Sequence, residues 1–334
     1  MSAAPVSYDV VIPTVGRPSL QRLLQALSRG RGPLPQRILV VDDRKHAPEP
    51  LLQGGFPAPI GKLVRVVRSY GRGPAAARNA GWRAGSAQWI AFVDDDVVPH
   101  AHWRARLAAD IALLMPDVGG SQGRIRVPLP PDRKATDWER NVKALEGARW
   151  ATADMAYRRD ALQAVGGFDE RFPRAFREDA DLALRVMAAG YRLVCGRRWV
   201  LHPVRSADPW VSVRLQAGNA DDALMRALHG DRWFASVQAE RGRRTRHIAI
   251  AAAAAAGLAG AVSGNKRLAA AGTAAWLLGT AEFAWARIAP GPRTAAEMAT
   301  MALTSVAIPP LAAYHWLSGM ARARRLTAPG ARLA

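Results

Sequence analysis

"WIAFVDDDVVPHAHW", Trp89 to Trp103, sets an apolar run directly before three consecutive carboxylates, Asp94, Asp95 and Asp96. The run has the length and composition of a buried strand. Three neighbouring charges at its end repel one another, which is tolerable in either of two ways. A hard divalent cation neutralises them, or they form a solvated acidic turn.

The residues before this stretch alternate between two patterns. "YDVVIP" (Tyr8 to Pro13), "RILVVDD" (Arg37 to Asp43) and "KLVRVVRS" (Lys62 to Ser69) read as strands. "SLQRLLQAL" (Ser19 to Leu27) has Leu20, Leu23, Leu24 and Leu27 at helical spacing behind a Ser cap, and "GPAAARNAGWRAG" (Gly73 to Gly85) reads as a second helix with a glycine stop. Strands alternating with helices predict an α/β domain whose sheet is mainly parallel and flanked by helices. Ligands of such sheets bind outside the carboxyl ends of the strands. Those ends carry Pro13, Thr14 and Arg17, then Asp42 and Asp43, then Arg78 and Asn79, then the Asp triplet. No Walker-type loop and no GxGxxG joins a strand to a helix, which argues against ATPase and dinucleotide-binding readings.

The chain has 334 residues, 49% of them hydrophobic and 22% charged, enough for one large or two ordinary domains with a core. Its single cysteine, Cys195, excludes an intramolecular disulfide and Cys-rich zinc sites, in keeping with a reducing compartment. The N-terminal "MSAAPVSYDVVIP" lacks the charged-then-apolar run of a secretory leader, so export is not expected. The formal net charge of +20 points to an anionic partner. Nucleic acid is disfavoured: no basic stretch is regularly interleaved with stacking aromatics, and an acidic cleft repels phosphodiesters.

Six segments, "VVIPTVGRPSLQRLLQAL", "ILVVDD", "GPAAARNAGWRAG", "WIAFVDDDVVP", "AVGGFDERF" and "REDADLALRVMAAGYRL", together resemble family 2 glycosyltransferases of the GT-A fold in order and spacing. The resemblance covers roughly Tyr8 to Trp210. It implies a Rossmann-like, mixed but mainly parallel sheet, and inverting transfer of a sugar from a nucleotide-diphosphate sugar with the help of Mn²⁺ or Mg²⁺. By position in the family pattern, Pro13, Thr14, Arg17, Asp42, Asp43 and Arg78 are expected around the nucleotide. Asp94 and Asp96 take the places of the outer metal-binding carboxylates, and Asp95 lies near the ribose or diphosphate. His202 is expected to complete the metal site. Asp179 is the expected general base, with Glu178 as the alternative; without the resemblance, both acids read as N-terminal residues that offset a helix dipole. Trp150, Asp154, Gly166 and Gly167 fall on the acceptor side. Two departures stand out: Asp154 replaces a common Asn, and "VDDRK" lacks the small residue that commonly follows the Asp pair.

Beyond about residue 240 the composition changes. "RGRRTRH" (Arg241 to His247) precedes three apolar segments, Ile248 to Val262, Arg267 to Pro290 and Glu297 to Met320, and "ARARRL" follows them. The expectation is a catalytic domain over residues 1–240 and a helical, hydrophobic, membrane-anchoring region over 241–334, with two or three apolar segments. Arginine clusters flank that region, as contacts to anionic lipid would require, which places the catalytic domain on the cytoplasmic side of the cell membrane. The alternative is a soluble Ala-rich helical subdomain. The expected acceptor is a lipid-linked or glycan hydroxyl. A polyprenyl-phosphate sugar synthase and a non-catalytic nucleotide-binding membrane scaffold are the competing functions.

Overall fold

The computed structural model describes residues 6–52 and 54–327. In chain order the elements begin with β1 (Tyr8–Thr14), α1 (Ser19–Arg29), β2 (Ile38–Asp42), β3 (Val64–Arg68), α2 (Pro74–Ala84), β4 (Trp89–Val93), β5 (Val98–Pro99), α3 (Trp103–Ala112) and β6 (Val118–Arg126). They continue with α4 (Asp137–Lys143), β7 (Asp154–Arg158), α5 (Arg159–Val165), α6 (Glu178–Ala188), β8 (Arg192–Leu201), α7 (Val211–Arg214), α8 (Gly218–His229) and α9 (Trp233–Ser236). Three long helices, α10 (Arg244–Val262), α11 (Lys266–Ile288) and α12 (Ala295–Thr327), end the described chain.

One compact unit comprises the residues up to Pro128 together with Ala144–Pro203. Its sheet has the order β3-β2-β1-β4-β7-β6-β8-β5. The half from β3 to β4 is parallel, β7 runs antiparallel to both of its neighbours, and β6 and β8 are again parallel. This is the mixed, mainly parallel α/β arrangement of the GT-A fold. The expected strands and helices are all present, with ends shifted by a few residues. Leu20, Leu23, Leu24 and Leu27 are buried as their spacing demands. The expected Ser cap is absent: Pro18, already in the right-handed helical region, occupies the cap position, so Ser19 is the first helical residue and its hydroxyl has no partner among the described residues.

The core under α2 joins Val11, Leu39, Val41, Phe92, Tyr157 and Leu182. Helix α2 lies so close to the sheet that a Cβ at Gly81 would stand 2.4 Å from Val11 and 2.9 Å from Val41. That close approach brings the side chains of α2 within reach of the strand ends.

The second unit comprises Leu129–Lys143 and the chain from Val204 onward. It therefore takes in residues 204–240 and the α4 segment as well as the apolar tail expected from sequence. Helices α10 and α11 form a hairpin whose backbones nearly touch, since a Cβ at Gly260 would lie 2.3 Å from the Ala269 nitrogen and one at Gly272 2.3 Å from the Gly257 nitrogen. Helix α12 runs unbroken through Pro309 and Pro310, which leaves the carbonyls of Ser305 and Val306 without their usual donors within the helix. Among the described residues, two helices, α10 and α12, are long and apolar enough to cross a membrane. Leu258, Leu278, Leu303 and Leu317 on α10 to α12 are exposed.

Inside this unit Arg287 of α11 is buried and fully engaged. It donates to Thr304 Oγ1 at 2.7 Å, Ser305 Oγ at 3.0 Å, Ser212 Oγ at 2.9 Å and the Asp137 carboxylate at 2.8 Å. Helix α4, which carries Asp137, opens with a capping box: Thr136 Oγ1 accepts from the Glu139 nitrogen, and Glu139 accepts from the Thr136 nitrogen at 2.8 Å. Arg133 also grips Glu139 and holds its carboxyl down at about 2. Removing Asp137 would leave Arg287 buried with less than its full set of acceptors. Asp137→Ala is therefore expected to cost on the order of 3 kcal/mol, read as a lowered melting temperature of the whole chain. Arg287→Ala should lower it comparably, and the two losses should not add.

Candidate active site

The acidic triplet is not one cluster but three separately partnered carboxylates. Asp94 accepts from Arg78 Nη2 at 2.9 Å. Asp95, almost wholly buried, accepts from Thr14 Oγ1 at 2.6 Å and from Arg17 Nη1 at 2.8 Å. Asp96 Oδ1 lies 3.5 Å from His202 Nε2 at the end of β8. The repulsion that the sequence presents is thus divided among an arginine from α2, the loop after β1 and a histidine.

Arg78 is the hub. Its other arm donates to Glu178 Oε1 at 2.7 Å, so one guanidinium bridges the end of β4 and the start of α6. Only 3% of the residue is exposed. Burial works against its charge, but Asp94, Glu178 and Asp179 more than offset this and hold it firmly protonated. Residue 177, directly before α6, takes a left-handed conformation (φ 76°) although it is an arginine, a strained setting of the kind found where a neighbouring side chain must be aimed. The next two residues are Glu178, buried and spent on Arg78, and Asp179, half-buried and bonded to the Ala180 nitrogen at 2.7 Å. Burial raises the Asp179 carboxyl above its ordinary range, with Arg78 and Arg177 opposing the shift. Glu178 is raised by the same cause, against the pull of Arg78.

At the end of β2, Asp42 is held bidentately by Arg44 at 2.9 and 2.8 Å, and the Arg44 hydrogen bonds put its carboxyl below the usual range. The same arginine lies across Gly16, where a Cβ would come within 3.2 Å of it. Beside the pair is a cavity of about 210 Å³, lined by Asp42, Arg44, Leu52, Phe56, Val66 and Arg68. Asp43 points elsewhere: it accepts from Ser69 Oγ at 2.7 Å and from the backbone nitrogens of Arg72 and Gly73 at 3.0 Å. It fastens the turn that leads into α2. Pro13 and Thr14 close β1 beside this edge, and the Thr14 hydroxyl also accepts from the Gly16 nitrogen.

The acceptor-side expectations divide. Asp154 does not face a cleft: it is fully buried, with one oxygen on Arg198 at 2.7 Å and the other on Trp103 Nε1 at 2.9 Å. An aspartate stands here because a buried arginine, itself 0% exposed, needs a counter-charge. Gly166 caps α5 in the left-handed region at φ 75°. Gly167, at φ 82°, does permit a close approach, but what approaches is the protein itself, since a Cβ there would stand 2.5 Å from Asn79 Oδ1 and 2.6 Å from Trp82 Nε1. Trp150 is half-buried in a left-handed turn, with its nitrogen donating to Gln122.

One participant was placed at the strand ends by the sequence without its role, and two carried little signal there. Asn79 donates to the Phe168 carbonyl and accepts from the Phe168 nitrogen, both at 2.9 Å, which stitches α2 to the Gly166–Gly167 loop. The adjacency of Arg78 and Asn79 was the available clue, because neighbouring helical residues face different partners. Arg44 and Arg198 are paired with acids that sequence alone could not match to them.

Asp96 and His202 are the residues that fit a divalent cation. Two ligands of one ion at about 2.1 Å each stand roughly 3 Å apart, close to the separation seen, and Mg²⁺ and Mn²⁺ sites commonly take one or two protein donors and fill the rest with water and phosphate oxygens. Among the described residues, no group of three or more His, Cys, Asp and Glu side chains could hold a metal ion. Asp94, with one oxygen on Arg78, is not assembled with the other two.

Arg78→Met would leave Asp94 and Glu178 facing each other without their shared cation. The expected loss is roughly 3–5 kcal/mol, seen as a lowered urea midpoint, with Arg78→Lys intermediate because it keeps the charge and loses the two-armed geometry.

A family model for glycosyl transferase family 2 matches residues 9–178, just over half of the chain. Pre-mycofactocin glycosyltransferases of Mycobacterium tuberculosis, strains CDC 1551 / Oshkosh and ATCC 25618 / H37Rv, are each 31% identical over 198 residues, 55% of this chain and 40% of theirs. The chain thus matches well under half of those relatives' length. Among solved structures, S. aureus TarS superposes with a TM-score of 0.42 at 16% identity, covering 70% of this chain and 43% of TarS. GalNAc-T7 with UDP, GalNAc and Mn²⁺ does so with a TM-score of 0.47 at 16% identity, covering 70% and 55%. The family match takes in the strand ends, the Asp triplet, Arg78 and Glu178, and on that ground the chain belongs to glycosyl transferase family 2.

Proposed function

We propose that the chain transfers a sugar, with inversion, from a nucleotide-diphosphate sugar to a hydroxyl of a membrane-associated or polymeric acceptor. The observation that carries this reading is the Arg78 bridge. One buried guanidinium bonded to both Asp94 and Glu178 leaves the acidic strand end one side chain away from the Glu178–Asp179 pair, which supports a shared role. Sugar transfer of this kind needs a donor diphosphate and a general base close together. Family membership and the glycosyltransferase relatives support the same chemistry.

In this reading the cavity beside Asp42, Arg44 and Arg68 takes the nucleoside, and Arg17 stands toward the ribose or diphosphate. Asp96 and His202 would hold Mn²⁺ or Mg²⁺, which offsets the charge growing on the departing diphosphate. Asp179 is the base. Glu178 is committed to Arg78, whereas Asp179 forms no direct ion pair among the described residues, and its half-burial leaves it accessible to a hydroxyl. The acceptor oxygen attacks the anomeric carbon, its proton passes to Asp179, and the bond to the diphosphate breaks with inversion. The apolar faces of α10 and α12, flanked by Arg241, Arg243, Arg244 and Arg246 on one side and Arg322, Arg324 and Arg325 on the other, support association with an anionic cytoplasmic membrane surface.

Only ionised Asp179 can take the proton. Because its pKa is raised, kcat/KM should climb with pH through a midpoint above the ordinary carboxylate range. Asp179→Asn should cut turnover about 10²–10⁴-fold and abolish that limb, as measured by release of the nucleoside diphosphate across pH. Near-normal turnover by Asp179→Asn would point instead to a phosphate acceptor, which needs no base.

A further inference from the structure

A second concave surface lies on the face formed by α3, β6 and β8. It is a groove of about 620 Å³ lined by His102, Ala105, Arg106, Ala109, Arg124 and Arg197. No carboxylate lines it. Arg106 and Arg124 have no hydrogen-bond or ion-pair partner for their guanidinium groups among the described residues. Arg197 is 80% exposed at the side chain, and its one counter-charge, Asp110, is 3.8 Å away. Asp110 is also the only acid of α3, and it is spent on the Arg197 and Arg198 nitrogens and, at 3.5 Å, on the Arg198 guanidinium.

Three guanidinium groups sharing one concavity repel each other unless an anion joins them. Their planar forks match phosphate oxygens bidentately, and the small side chains of Ala105 and Ala109, one helical turn apart, leave the floor open. Arg197 lies in the irregular stretch of β8 where Cys195 to Trp199 spans only Gln122 to Arg124 of β6, and neither Asp96 nor His202 lines the groove.

We propose that this groove binds a phosphate-bearing ligand at a site separate from the Asp96–His202 pair. The ligand's phosphate comes either from a soluble molecule or from a lipid headgroup. The inference does not depend on the proposed sugar transfer.

The test is titration calorimetry of the full chain with inorganic pyrophosphate in metal-free buffer, using wild type, Asp96→Ala and the Arg106→Ala/Arg124→Ala double variant. Arg124 is exposed and Arg106 half-buried, and an unchanged melting temperature verifies folding. Binding should survive Asp96→Ala and weaken about tenfold or more in the double variant. Absent binding, or equal binding by the double variant, overturns the proposal. Flotation with phosphatidylglycerol and phosphatidylcholine vesicles separates the sources. If the double variant also loses the extra binding to the anionic vesicles, the headgroup is the ligand; if it keeps that increment while losing pyrophosphate, the ligand is a soluble phosphate.

Discussion

A guanidinium held away from water between two carboxylates is the constraint on which the catalytic unit depends. Arg78 is costly to bury alone, and Asp94 and Glu178 repel each other without it; together the three are stable only in one arrangement. That arrangement fixes where β4 ends, where α6 begins and how deeply α2 lies on the sheet. The glycine at position 81 allows that depth, and Asn79, one residue along, secures the loop before α6. The short "ARN" sequence thus aims one side chain at the acidic strand end and the next at the loop.

The same arrangement sorts acids that look equivalent in the sequence. Asp95 is locked by Thr14 and Arg17, Asp94 shares Arg78 with Glu178, and Asp96 faces a histidine. Asp179 sits next to Glu178 and is bonded to the Ala180 nitrogen. Environment therefore separates structural carboxylates from those suited to ligand and proton chemistry, without any difference in residue type.

Much of the parallel half of the sheet was legible because apolar runs and helical leucine spacing are local signals. The acidic strand ends were legible because a parallel sheet presents its ligand edge there. What could not be read was pairing. Nothing near Asp154 announces Arg198, 44 residues away, so an internal counter-charge looked like an acceptor contact. Asp42 and Asp43 looked like twin ligands, yet one is claimed by Arg44 and the other by backbone nitrogens of the turn before α2. The α4 segment gave no sign that its Asp137 meets Arg287, 150 residues on. Composition marked the change near residue 240, whereas the second unit takes in Leu129–Lys143 and resumes at Val204.

The proposed function requires the carboxyl edge of the sheet to be a nucleotide-diphosphate-sugar site completed by a cation. Isothermal titration of the full chain with UDP, GDP and dTDP, each with and without Mn²⁺, addresses it directly. One of the three is expected to bind in a Mn²⁺-dependent manner. Failure of all three to bind a folded protein, with or without the metal, would contradict it.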